Sequence, residues 1–225
     1  MIGRSTVMVA CVPLICVGAL AACDDGSAPS LERLGTASSA VTTCATNVQP
    51  QSSTPLLLKK PKVFFAFWGS YWQSGTGATQ RASIQNVWSK VASSPVFYNR
   101  LAEYQIGLGS YIGSASNTTQ LPATGSVDEQ QIQAELDSEI ANGLLPQPDA
   151  NTLYVLLLPQ GLTDSTFANS LAHHDYAPAS GSVPAVPYAL MPPGGQSGSI
   201  ISHEISEAIT DPDVFTGYRD TVGGG

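Results

Sequence analysis

The sequence predicts an α/β layered domain. Val63 to Gly69 and Leu153 to Leu158 are short runs of aromatic and aliphatic residues with the character of buried strands. Segments 79–92 and 128–142 lie between those runs and carry apolar residues at helical spacing. No period of 20–50 residues repeats along the chain, which excludes a solenoid. Strands alternating with helices place the helices on a layered sheet.

The first element is an address rather than a strand or helix. Met1 to Ala22 has a basic start at Arg4, an apolar stretch of 16 residues from Val7 to Ala22, and small residues at its end. That stretch is shorter than the roughly 20 residues a membrane-spanning helix needs, and its layout is that of an export signal. The end, Leu20-Ala21-Ala22-Cys23, resembles the lipobox of bacterial lipoproteins, in which the cysteine becomes the lipidated first residue. The alternative is a plain signal peptide cleaved nearby. Asp24 and Asp25 follow at once, and in some bacteria an acidic residue there favours the inner membrane. Cys11 and Cys16 lie within the signal, so with Cys23 lipidated only Cys44 remains, and no intramolecular disulfide is expected.

Residues 23–60 lack periodicity and are rich in Ser, Thr, Ala, Gln and Pro, the composition of a disordered tether. The folded domain is expected over residues 61–225. Its first strand, from Val63, is followed by Gly75 and Gly77, read as chain breakers ahead of a helix over 79–92 that aligns Ile84, Val87, Trp88 and Val91. A second short helix is expected around Phe97, Leu101 and Tyr104, and a Gly-rich strand over 107–116. Ile132, Leu136 and Ile140 line a clearer helix from Asp128 to Asn142, with Gly143 placed to stop it. Leu153 to Leu158 is the expected central strand. Val186 to Met191 reads as an edge strand, because Pro187 has no N–H to give to a ladder. A last helix runs from Ser199 to about Ile209 and stops at Asp211-Pro212.

Composition narrows the function. Charged residues make up 12% of the chain, about half the usual quarter, and 17 acidic residues face 9 basic ones. A protein that grips a phosphate backbone needs a basic face, so nucleic acid is excluded as a partner.

The chemistry concentrates in the chain's three histidines. His173 and His174 are expected on a loop after the central strand, a place where α/β folds carry their sites. His203 opens the segment Ser202-His203-Glu204-Ile205-Ser206-Glu207-Ala208-Ile209-Thr210-Asp211-Pro212. Four residues separate His203 from Glu207, so a helix projects both from one face, with Glu204 about 100° round the axis. This copies H-E-x-x-H with Glu in place of the second His, and a His-His-Glu set with an open position is a catalytic zinc composition. His203, Glu207 and His174 are thus the expected metal ligands, with zinc as the metal and Glu204 as the proton-handling catalytic residue. Asp213, ten residues after His203, is an alternative third ligand. The plainer reading is equally chemical: Glu204 and Glu207 as solvated helix residues, and His203 as a first-turn residue with an ordinary hydrogen bond. Tyr176 and Tyr188 are candidates for stabilising an oxyanion or for packing, and Phe64, Phe65, Phe67, Trp68 and Trp72 for core or for stacking on sugar rings.

The segment from Ser202 to Pro212 is similar to the "(A/S)HELxExxTDP" segment of the EXORDIUM-like, phosphate-induced protein family. His173-His174-Asp175-Tyr176, followed by Tyr188-Ala189-Leu190-Met191-Pro192, resembles that family's "C-x-Y-H … YA-hydrophobic-P" segment and sets His174 on its histidine. Val63 to Trp72 resembles its first strand and the "WG" that ends it. The resemblance covers about residues 60–220. It implies an exported protein, with plant members in the cell wall and a helix resembling that of zinc peptidases, hence a metal-dependent hydrolase. Leu171 stands where the family has a Cys, and the family's acidic, Cys-ending continuation has no counterpart before Gly223-Gly224-Gly225. That pattern is expected of a chain lacking its end, or of a branch that dropped one disulfide.

Two functions follow as expectations. One is a lipid-anchored extracytoplasmic (or secreted) hydrolase acting on peptide or another envelope polymer. The other is a non-catalytic envelope- or wall-binding protein. The lipobox reading is checked by detergent phase separation of bacterial cells expressing the chain. The protein is expected in the detergent phase, and Cys23→Ala is expected to move it to the aqueous phase.

Overall fold

The computed structural model describes residues 48–117, 121–168 and 170–220. The signal segment, Cys23 and Cys44 lie outside the described residues. The main body comprises Pro50–Tyr218. A second unit comprises residues 1–49 and 219–225, and to it belongs most of a small two-stranded sheet of β1 (Val48–Pro50) and β9 (Tyr218–Asp220).

In chain order the main body holds β2 (Lys62–Trp68), α1 (Gly75–Val91), α2 (Pro95–Tyr98), β3 (Ser110–Asn117), β4 (Gly125–Val127), α3 (Glu129–Ala141), β5 (Thr152–Leu157), β6 (Leu162–Asp164), β7 (His173–Ala177), β8 (Val186–Met191) and α4 (Gly198–Thr210). The fold is α/β, built on a five-stranded sheet in the order β3-β2-β5-β8-β7. β3, β2, β5 and β8 run parallel, and β7 joins β8 antiparallel. β4 and β6 form a separate parallel pair.

Strand alternation splits the core in two. Val63, Phe65 and Phe67 of β2 face one side, where they pack with Trp72, Trp88 of α1, and Ile201, Ile205 and Ile209 of α4. Phe64, Ala66 and Trp68 face the other, against Ile132, Leu136 and Ile140 of α3. Both faces of β2 and β5 are covered, which is why each reads as a continuous apolar run rather than an alternating one. Phe64, Phe65, Phe67, Trp68 and Trp72 are all core residues.

Four expectations need correction. The tether does not extend through residue 60: Leu57 and Leu58 are buried in the core, and the Leu58 N–H donates to the Ile209 carbonyl at 3.0 Å. Gly75 and Gly77 belong to α1 instead of preceding it, and a side chain at Gly77 would meet the Tyr71 carbonyl oxygen at 2.0 Å. β8 is an interior strand, because pairing with β5 begins only at Tyr188, one residue beyond Pro187. Finally, His173 and His174 do not sit on a loop; they open β7. No helix among the described residues is long and apolar enough to cross a membrane.

α3 carries a buried acid whose titration shows in stability. Asp128 caps the helix, its side chain accepting from the Gln131 N–H while the Gln131 side chain accepts from the Asp128 N–H. Three turns on, Glu139 is 2% exposed and accepts from Trp68 Nε1 at 2.7 Å. Burial pushes its carboxyl up to about 7, only partly offset by Trp68 and Asn117, with Glu135 adding repulsion. An acid whose folded pKa lies above its unfolded value costs stability once the unfolded chain ionises. The wild type is therefore expected to lose stability between about pH 4.5 and 7, by up to ~3 kcal/mol from this group. Glu139→Gln should remove that increment, read as the difference between the two proteins in urea unfolding at pH 5 and pH 8.

Candidate metal centre

α4 is capped by Ser197, whose hydroxyl accepts from the Ile200 N–H, and buries Ile201, Glu204, Ile205, Ala208 and Ile209. Glu204 thus lies inside an apolar stripe, with its residue only 6% exposed. A carboxylate there must find a partner or be neutralised. β7 supplies the partner. His174 Nδ1 stands 3.5 Å from Glu204 Oε2 and 3.6 Å from Glu207 Oε2.

The other ring nitrogen defines the chemistry. His174 Nε2 lies 3.1 Å from the Asp211 carbonyl oxygen at the end of α4. A carbonyl only accepts, so Nε2 carries the hydrogen and donates it. In the neutral ring Nδ1 is then a lone pair aimed between two carboxylates, as in a metal-binding histidine held by an outer hydrogen bond. Two donors about 2.1 Å from a tetrahedral ion stand about 3.4 Å apart. The observed 3.5 and 3.6 Å separations match that value. One ligand atom from each of His174, Glu204 and Glu207 lies within 4.8 Å of the others, and this group could hold a metal ion.

The surrounding charges set how the ring titrates. Burial alone would lower the His174 pKa, but the Glu204 contact and the charges of Glu207, Glu204 and Asp211 outweigh it, so the pKa is raised. Glu207 is pushed up by burial and held back by His203 and His174. Asp211 is also pushed up by burial.

The arrangement differs from the one the motif implies. Glu204 joins the group, whereas His203 stands outside it, its Nε2 3.3 Å from the other oxygen of Glu207 and its side chain 42% exposed. The cause is the rotation of α4 about its axis. Its apolar set, Ile201, Ile205 and Ala208, brackets Glu204 and turns His203 outward. That pattern was available in the sequence and the i, i+4 spacing obscured it. Asp213 is committed elsewhere, accepting from the Phe215 and Thr216 N–H groups. Asp211 contributes its carbonyl rather than its carboxylate, which accepts from the Gly217 N–H at 2.8 Å. Tyr188 is buried in β8, and Leu171 is exposed.

Comparison with protein-family models, curated proteins and solved structures returns no match to this chain.

The grouping predicts distinct variant behaviour. His174→Ala is expected to weaken zinc binding on the order of a hundredfold or more, since it removes the one nitrogen of the group. His203→Ala is expected to change it by less than about tenfold. Competition titration against a chromogenic chelator measures both.

Proposed function

We propose that the chain is an exported, lipid-anchored envelope protein of the EXORDIUM-like kind, with a zinc-dependent hydrolase site on His174, Glu204 and Glu207. The observation that carries this reading is the convergence of His174 Nδ1 with one oxygen from each glutamate, 3.5 and 3.6 Å away, at a half-buried position. One nitrogen and two carboxylates form a donor set that zinc accepts. Zinc held there would polarise a scissile carbonyl and lower the pKa of a water.

The chain's own groups have separable duties. The Asp211 carbonyl orients the His174 ring through Nε2. Glu204, buried between Ile201 and Ile205, binds, and in this arrangement takes no part in moving protons. His203, exposed and beside the outer oxygen of Glu207, is the side chain placed to hold a proton at Nε2 on the solvent side. Peptide or another envelope polymer is the substrate class, brought within reach by a lipid at Cys23.

The test is turnover by zinc-loaded protein on fluorogenic casein and on solubilised cell-wall polymer. Chelation should abolish hydrolysis and zinc should restore it, with Glu204→Gln and His174→Ala each lowering kcat/KM on the order of a hundredfold or more. A chain that holds zinc at full occupancy yet cleaves neither polymer defeats the hydrolase reading and leaves a binding role.

A further inference from the structure

Successive residues of a strand point to opposite faces, so His173 addresses the side of β7 away from His174. There it meets a second set of carboxylates. His173 Nε2 lies 3.3 Å from Glu129 Oε2, and Nδ1 lies 3.3 Å from Asp164 Oδ2. The cluster is enclosed: the His173 and Asp164 side chains are 10% and 2% exposed. Phe167 covers the imidazole at 4.2 Å between ring centroids.

The framework is built to bring these groups together. Val127 of β4 pairs with Asp164 of β6, which sets the start of α3 beside the end of β6. Thr166 then ties both acids, its N–H donating to Asp164 Oδ1 at 2.8 Å and its hydroxyl accepting from the Glu129 N–H at 2.9 Å. The second oxygen of Glu129 accepts from Gln133 Nε2 at 3.1 Å. Asp175, two residues along β7, shares the face of His173, and Tyr188 stands directly opposite it on β8. Burial raises the Asp175 pKa, with Glu129 adding to the rise and His173 opposing it.

What the cluster lacks is satisfaction. Glu129 Oε2, Asp164 Oδ2, both His173 nitrogens and the Tyr188 hydroxyl are buried without a hydrogen-bond partner among the described residues. Thus the two 3.3 Å contacts are not aligned hydrogen bonds. No Lys or Arg is placed within ion-pairing distance of Glu129, Asp164 or Asp175 among the described residues. Three carboxylates around one imidazole, most of them enclosed, leave an excess of negative charge that costs several kcal/mol per unpaired ion unless compensated. A separation of 3.3 Å without hydrogen-bond alignment is what two ligands of one tetrahedral ion show, since bonds of about 2.0–2.1 Å at that angle span about 3.3–3.4 Å.

We propose that His173 Nε2 and Glu129 Oε2 hold a second divalent cation on the α3 side of β7, with water filling its remaining positions. Asp164 Oδ2 faces Nδ1 on the other side of the ring, where it would fix the imidazole once the metal is bound. The donor set, one imidazole nitrogen and a carboxylate oxygen, suits zinc better than magnesium or calcium, which take oxygen alone. This site is separate from the His174 group, because the backbone of β7 lies between them.

The experiment counts zinc in the purified full chain by mass spectrometry, after stripping with chelator and reloading with zinc alone. Two equivalents are expected in the wild type. His173→Ala and His174→Ala should each remove one of them, and the double variant should hold none. A wild type with one equivalent that His173→Ala retains overturns the proposal. If His174→Ala changes nothing while His173→Ala loses metal, the second site stands and the first fails. Should His173→Ala not fold, by near-ultraviolet circular dichroism, Glu129→Gln decides. Loss of one equivalent, or a tenfold weaker second equivalent, supports the site, and two equivalents at wild-type affinity overturn it.

Discussion

A carboxylate buried in an apolar helix face constrains much of this structure. Glu204 occupies a position that Ile201, Ile205 and Ala208 surround, and nothing on α4 itself can neutralise it inward. An isolated ion there would cost several kcal/mol. The parallel strands β3, β2, β5 and β8 make a sheet with helices on both faces. Antiparallel β7 extends that sheet, and its contribution beside α4 is an imidazole at the height of Glu204 and Glu207. The end of α4 is drawn into the same arrangement, because the Asp211 carbonyl at the helix terminus accepts from that imidazole as well as from the Val214 N–H. Gly217 then closes the turn by donating to the Asp211 carboxylate, at a place where a side chain would strike the Thr210 carbonyl oxygen at 2.3 Å.

β7 shows why two adjacent histidines are not redundant. A strand with polar residues on both faces is stable in a covered position only if each face meets its own partners. His174 meets Glu204 and Glu207 from α4, while His173 meets Glu129 and Asp164 from α3 and β6. A slip of one residue in the β7–β8 register would exchange every side chain between the two faces. The pairs His173↔Leu190 through Ala177↔Val186 run without a shift, so the register is held over the whole strand.

Elements with a single dominant period were legible in the sequence. β2 and β5 are apolar on both faces, and α3 carries Ile132, Leu136 and Ile140 one turn apart, so local pattern and tertiary burial agree. β7 was illegible for the opposite reason. His173-His174-Asp175-Tyr176-Ala177 has neither alternation nor an apolar run, and the side chains its histidines meet come from other elements, at 129, 164, 204 and 207. Pro187 marks an edge only if every N–H of an interior strand must pair, whereas β8 begins pairing with β5 one residue later. In the site the chemistry is readable, but the i, i+4 spacing selects His203 as a ligand where the structure brings Glu204 to the group. Both are one turn from Glu207, and only the direction of the apolar stripe tells which faces inward.

The two sides of β7 also share an electrostatic state. Glu129, Asp164, Asp175, Glu204 and Glu207 surround two imidazoles, and the chain as a whole has 17 acidic residues against 9 basic. Lys62 pairs with Asp149 at 2.5 Å, well away in sequence from either cluster, and no guanidinium or ammonium reaches the histidine-facing acids among the described residues. The compensation open to such a region is a proton or a metal ion. Burial pushes Asp175, Glu207 and Asp211 up, the direction in which protons are retained. A divalent ion competes for the same oxygens and for the same nitrogen lone pair, and its binding would release those protons. The strand that joins the helices on the two faces is thus also where the charge state of the fold is decided, and its response to metal follows from having carboxylates in excess of imidazoles.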